Sequence, residues 1–460
     1  MENTNNNAPR RPNPRRRKRS RMKVFKQVYL PVIIVGLVVL LFIVFAIGSI
    51  KRSNEKRAAA REESLAQEAS QEAELEVYRR KAAELMVEAD VLAKNYDYEG
   101  AIAVLDGFLE IYTGNLDEFQ DLMDRRESYV NTKNSLVAWD DPSKIVNLGF
   151  NLLIADSKTA FADEGMGSTY KYNNISVTEF NNILAQLYQN GYVLVNLDDI
   201  ISTTVNDDGT VTYAPKTLYL PEGKTPFMIT QSQVNYYSYM VDGNDDGEPD
   251  KKGDGFAYKL TVKNGKFVNE RINSSGELVT GDYDLVPALE TFIADHPDFS
   301  YMGARAILTL TGYDGLFGYR GEEDPTQLIQ ALRDAGYIIG CNTYRNKAYG
   351  AVDTDEVKKD LESWETTITP ILGQTNIFAF AKQSDIAAAG EAYSDKKFEA
   401  LTLGGYSYFL GFCDDGQPWM RIEGSYIRQG RLMVTGNTLE KKGSWFTGMF
   451  DAASVMERGR

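Results

Sequence analysis

The side chains able to do chemistry are few. His296 is the single histidine in 460 residues, and Cys341 and Cys413 are the only thiols. One imidazole and two thiols provide neither a histidine pair nor a four-cysteine set for zinc. His296 lies in Asp295-His296-Pro297, at the end of a helix pattern, where a surface or capping role suits it better than that of a base. Cys341 has no histidine nearby in sequence to make it a nucleophile, and Ser232 has no base. The two cysteines read equally as a disulfide pair or as small buried hydrophobes. Asp242-x-Asn244-x-Asp246-Gly247-x-x-Asp250 offers the first, third and fifth oxygens of a calcium loop, but position twelve is Gly253 and not Glu. That excludes an EF-hand and leaves a polar hairpin loop or a weak calcium site. The remaining polar chemistry gathers in clusters that each follow an apolar run: Thr230-Gln231-Ser232-Gln233, Thr309–Tyr313, Gly340–Asn346 and Phe378–Asp385. Amides, hydroxyls and aromatic rings dominate them. Such groups hydrogen-bond and stack; they do not ionise near neutral pH.

These clusters need a scaffold, and the flanking pattern supplies one. Beyond Asp140-Asp141-Pro142, apolar runs at Asn190–Val195, Pro226–Thr230, Ala306–Leu310, Gly336–Gly340, Ile377–Phe380 and Tyr408–Phe412 alternate with amphipathic stretches. The helix patterns are Val177–Gln189, Asp282–Asp295, Asp324–Ala335 and Thr354–Ile371. Two of them run into Gly191 and Gly336, each followed by Tyr and a strand pattern, as a glycine C-cap would produce. Unbroken apolar runs joined by helices predict parallel strands covered on both faces. The length from 140 to 460 suits an α/β fold closed into a (β/α) barrel, with functional groups just after the C-terminal ends of the strands.

At those strand ends the chain resembles the polysaccharide deacetylase (NodB-homology) family, over roughly residues 145–440. It is most like the larger membrane-anchored members from Gram-positive bacteria. The framework residues are Val234–Met240, Leu310–Arg320 and Pro418-Trp419-Met420. The resemblance implies a distorted (β/α) barrel of the polysaccharide deacetylase type. Where the family has Thr-Phe-Asp-Asp, with one Asp as base and the next on the metal, this chain has Thr230-Gln231-Ser232-Gln233. Where the family supplies two histidines in Ser-His-Thr-x-x-His, the chain reads Cys341-Asn342-Thr343-Tyr344-Arg345-Asn346. The family's aromatic-Pro-x-Gly motif corresponds to Phe380-Ala381-Lys382-Gln383, without its Pro and Gly. Ser232, Gln233, Asn342 and Asn346 therefore stand at degenerate motif positions. Neutral carboxamides are weak zinc ligands, and water without a metal keeps a pKa near 15.7. Neither a metal nor another cofactor is expected, and no catalytic residue is assigned. What the resemblance leaves at the strand ends is a polar, aromatic cleft for sugars, lined by Tyr236, Tyr313, Arg320, Tyr344, Arg345, Asp385 and Trp419.

The net charge of −15 is unevenly distributed. Residues 1–26 hold ten Lys or Arg and one acid, a balance of +9 that leaves −24 for the rest. Val28–Ile50 follows without a charge, long enough for a bilayer core of about 30 Å. It is too long for a signal-peptide core and ends in Lys51-Arg52 with no small-residue cleavage site. The basic excess predicts a cytoplasmic tail over 1–27, a signal anchor over 28–50 and an exported remainder. This juxtamembrane position argues against nucleic-acid binding. Residues 51–139 read as a helical stalk and hairpin, in which Ala89 to Leu105 carries one tetratricopeptide-like spacing. A single repeat cannot bury its own face, so the expectation is a hairpin docked on the domain that occupies 140–460.

The expected function is that of a single-pass cell-membrane protein with an extracellular C-terminal domain, binding cell-wall polysaccharide or peptidoglycan without catalysis. The alternatives are an interaction module for an envelope protein partner and a working N-deacetylase with unfamiliar ligands.

Overall fold

The structure, a computed structural model, describes residues 22, 25–240, 254–458 and 460. The candidate calcium loop Asp242–Asp250 and nearly all of the basic tail lie outside the described residues. The chain divides into two compact units, Met1–Ala83 and Glu84–Arg460. In the first, the apolar run opens a continuous helix, α1 (Leu30–Lys94), preceded by a π-helical turn at Phe25–Tyr29. Phe25–Lys94 is long and apolar enough to cross a membrane. The stretch after Ile50 continues the same helix because it is rich in Ala, Glu, Lys and Arg, all strong helix formers, and has no Gly or Pro.

Seven parallel strands close into a barrel: β1 (Val146–Phe150), β2 (Thr225–Ser232), β3 (Ile307–Leu310), β4 (Ile338–Cys341), β5 (Ile377–Ala379), β6 (Tyr408–Phe412) and β7 (Ile427–Met433). Neighbours pair in chain order from β2 to β7, and β1 closes the ring between β7 and β2. Tyr192–Leu194 pairs with the first half of β2, and Met420–Ile422 runs antiparallel beside β7. The expected fold class is what the chain adopts, with two barrel strands, β1 and β7, that the apolar runs did not reveal.

The connecting helices lie where the amphipathic stretches predict: α4 (Val177–Gln189), α5 (Leu285–Asp295), α6 (Thr326–Asp334) and α7 (Thr354–Thr367), with α8 (Lys396–Leu403) added. A capping box starts α4: Ser176 Oγ accepts from Glu179 N (3.0 Å) and Glu179 Oε2 accepts from Ser176 N (2.8 Å). Gly191 and Gly336 end α4 and α6 at φ values of 77° and 99°, and a Cβ at either would meet a carbonyl oxygen, of Gly223 at 2.5 Å or Gly303 at 2.8 Å. The alternation of the strands separates two apolar layers. Met228, Ile307, Ile377, Tyr408 and Ile427 fill the barrel, whereas Leu148, Phe227, Leu308, Phe378 and Phe409 pack outward on the helices.

The end of α1 forms a hairpin with α2 (Tyr98–Ile111) and α3 (Gln120–Asn134). Asp90 accepts from Arg125 and Tyr129, and Asp106 pairs with Arg126. Tyr96 docks the hairpin on the barrel: its hydroxyl donates to Asp298 O (2.6 Å) and its ring stacks on Tyr301 at 5.8 Å. The hairpin shares one compact unit with the barrel from Glu84 onward.

Candidate functional site

A cavity of about 290 Å³ opens over the C-terminal ends of β1, β2, β5, β6 and β7. Its floor and sides include Asn151, Ser232, Gln233, Lys382, Gln383, Phe412 and Thr435, and the short helix Gly167–Asn173 with Tyr237 and Tyr239 forms a wall. This is the barrel end at which the strand-end clusters meet.

Ser232 is the last residue of β2 and points inward. Its Oγ accepts a 2.8 Å hydrogen bond from Arg431 Nη1. Arg431 comes from β7 and is 1% exposed, yet its other contacts are all neutral: Nε donates to Gly411 O (3.1 Å), and Nη2 to Phe380 O (2.7 Å) and Leu410 O (3.3 Å). The guanidinium lies 4.7 Å from the Phe412 ring centroid. Burial pushes its pKa down to about 10, so it still carries its charge at neutral pH. Beneath it, Asn147 Nδ2 donates to Gln429 Oε1 (2.9 Å), Thr230 Oγ1 donates to Asn147 Oδ1 (2.8 Å), and Tyr408 also donates to Gln429. Below the cavity the barrel interior thus carries a hydrogen-bonded polar layer.

The degenerate positions fall into two groups. Ser232 and Gln233 line the cavity, and Asn346 Nδ2 reaches Gln233 Oε1 at 3.2 Å, so the first and second motifs do meet. Asn342 is 1% exposed and turned into the sheet, donating to Ala379 O (2.8 Å). Gln233, Thr343, Asn346, Lys382 and Gln383 all hold positive φ between 50° and 59°. Such backbones cost on the order of 1–3 kcal/mol each and gather at functional sites. The five residues all follow the C-terminal ends of β2, β4 and β5.

These residues do not fit a divalent metal. The donors that meet are a hydroxyl and carboxamides. No group of three His, Cys, Asp or Glu suited to a metal occurs among the described residues. A fixed cation is bonded to the Ser232 hydroxyl at the cavity floor. Charge repulsion and weak donors act in the same direction.

The expected sugar contacts are mostly elsewhere. Tyr236 needs correction: it is 1% exposed, donating to Asp284 Oδ2 (2.7 Å) and accepting from Asn269 (3.0 Å), so it is a core residue. Its backbone turns at φ 53°, which directs the ring away from the cavity. Arg320 bonds Asp314 (3.0 Å) and the Tyr236 carbonyl, bracing that turn. Asp385 accepts from Arg428 (2.9 Å) and Tyr393 (2.6 Å), and Trp419 Nε1 donates to Phe412 O (3.0 Å); both are built into the outer layer. Tyr344 and Arg345 use their backbone N–H groups on Asp360, at 2.6 and 3.1 Å, and neither lines the cavity. Tyr313 comes nearest, stacked at 5.2 Å on Tyr237, which in turn stacks at 5.6 Å on Tyr239. This three-ring stack at the cavity wall leaves Tyr313 and Tyr239 exposed. Sequence reasoning passed over Tyr239, Lys382 and Arg431.

His296 packs between Tyr188 (4.4 Å) and Phe292 (4.6 Å) at the C-terminus of α5, the opposite end of the barrel. Cys341 and Cys413 are free buried thiols, not a pair. Burial raises both pKa values, that of Cys413 to about 12, so neither is a ready nucleophile.

No family model and no curated protein matches the chain. Among solved structures, it is similar to the deacetylase PplD of Streptococcus pyogenes, described in complex with acetate, at 10% identity, with 64% of this chain and 94% of that one covered and a TM-score of 0.34. It is also similar to a polysaccharide deacetylase from Bacillus cereus, at 12% identity, covering 66% and 69% of the two chains with a TM-score of 0.31. By the order of its own strands the chain is a distorted (β/α) barrel, and the solved structures it is similar to are polysaccharide deacetylases.

Proposed function

We propose that the chain is a membrane-anchored, extracytoplasmic glycan-binding protein that uses a deacetylase-like cavity without hydrolysing its ligand. Val28–Ile50 is the anchor, the basic tail stays in the cytoplasm, and the barrel faces the cell wall. One observation carries this reading. The cavity and its strained strand-end backbones are present, but the groups facing it bind by hydrogen bonding and stacking, with Arg431 behind Ser232 where a metal site would need a carboxylate. Tyr237, Tyr239 and Tyr313 supply the aromatic surface on which a sugar ring stacks.

The test uses detergent-solubilised full-length chain mixed with purified insoluble peptidoglycan. Retention in the pellet, without acetate release from acetylated glycan, is the expected result. Failure to sediment, or acetate release that a chelator abolishes, overturns it. Cross-linking to an envelope protein in place of wall retention would favour the docked hairpin as the working surface.

A further inference from the structure

The described residues that line the cavity include no Asp or Glu, although the chain as a whole carries −15. Asp254, beyond the wall, accepts from the Tyr170 hydroxyl (3.3 Å). One hydrogen bond below the floor lies Arg431, 1% exposed, with no carboxylate within 4.0 Å among the described residues. Asp385 acts on it only at longer range and is itself engaged by Arg428 at 2.9 Å. A charge buried among neutral acceptors is costly, and a counter-charge brought to it recovers part of that cost.

The path from Arg431 to the cavity is direct. Ser232 Oγ accepts from Arg431, which leaves the hydroxyl proton to be donated, and no acceptor among the described residues takes it. Polarisation by the guanidinium makes that hydroxyl a stronger donor. Gln233 uses its carbonyl oxygen on Asn346 (3.2 Å) and Tyr237 (3.3 Å), so its amide nitrogen remains to donate. Lys382, exposed at the same rim, adds a second cation. Donors and positive charge converge, and among the described residues that line the cavity no acid opposes them.

We infer that the cavity receives an oxyanion, a carboxylate or phosphate carried on a sugar, seated on Ser232 and Gln233 and balanced by Arg431 and Lys382. This rests on the glycan-binding reading and specifies the charge of the ligand. A charge-assisted hydrogen bond in a buried site gives about tenfold or more in affinity over a neutral one.

Calorimetric titration of the full-length chain with glucose, glucuronate and glucose 6-phosphate at low ionic strength tests the inference. At least one acidic sugar should bind about tenfold more tightly than glucose, and the tighter of the two separates carboxylate from phosphate. Arg431→Met should abolish the difference. Should that variant not fold, Ser232→Asp makes the same test by pairing the guanidinium internally. Equal affinity for all three sugars, or a preference that survives both variants, overturns the inference. If no sugar binds, the glycan reading fails, and acetate and inorganic phosphate are titrated alone. Binding of either that Arg431→Met removes supports the anion site by itself; no binding overturns it as well.

Discussion

Two arginines three positions apart on β7 are both buried, and they have opposite surroundings. Arg428 faces the outer layer, where Asp385 pairs with it at 2.9 Å and the rings of Tyr393 and Trp419 lie at 4.0 and 5.2 Å. Arg431 faces the barrel lumen and meets a hydroxyl, three carbonyls and a phenyl ring. The first is a neutralised structural charge that locks the β5–α8 connection to the barrel. The second has no carboxylate within 4.0 Å among the described residues, and it lies directly beneath the cavity over the strand ends. A buried ion with its partner in place belongs to the framework; one among neutral acceptors is a charge that an anionic ligand would balance.

The largest expected effect is on the framework side. Arg428→Met leaves Asp385 largely buried without its counter-ion and should cost about 3–5 kcal/mol of stability, read by chemical denaturation. Equal losses for Arg428→Met and Arg431→Met would break the comparison. A third buried charge sharpens it from the acid side. Asp284 is fully buried and accepts only from neutral donors, Gln231 (2.7 Å), Tyr236 (2.7 Å) and Leu153 N (2.8 Å). Burial raises its pKa from 3.8 to about 6. The folded state therefore holds this proton more tightly than the unfolded state. The resulting stability is present in full below the unfolded value and is lost as pH rises through about 6. Between pH ~4 and ~6 the wild type should lose on the order of 2 kcal/mol relative to Asp284→Asn, and parallel pH profiles would count against it.

Smaller effects follow on the site side. Arg431→Met should cost less than about 2 kcal/mol, because the ion's own desolvation penalty is removed together with its hydrogen bonds. A loss as large as that of Arg428→Met would show that Arg431 serves the fold alone. Tyr239→Ala, at the exposed end of the ring stack, should change stability by under about 1 kcal/mol and still weaken sugar binding several-fold. Unchanged binding in calorimetry would remove the tyrosine stack from the site.

Much of the barrel was legible because its strands advertise themselves. Thr225–Ser232, Ile307–Leu310, Ile338–Cys341, Ile377–Ala379 and Tyr408–Phe412 are short, apolar and bounded by helix patterns, as strands buried on both faces must be. Ile427–Met433 was not legible, because Arg428, Gln429 and Arg431 make it read as a polar connection. Charged side chains are almost never fully buried unless they are paired, so the ordinary inference from Arg is exposure. Tyrosine, tryptophan and aspartate near strand ends read as a sugar-binding rim, but Tyr236 and Asp385 have partners distant in sequence, Asp284 and Arg428, and Trp419 bonds the Phe412 carbonyl.

The sequence by itself determined the apolar N-terminal segment, the alternation of strand and helix, the barrel class, and the neutral residues at the motif positions. These follow from local composition and from periodicity, which are set by neighbours along the chain. Only the tertiary structure decided that Ser232 and Gln233 line one cavity with Asn346 bonded to Gln233 while Asn342 turns away, and that a cation from the last strand stands behind Ser232. Closing the barrel brings residue 431 against residue 232. The charge of the site depends on that contact, and no spacing in the sequence records it.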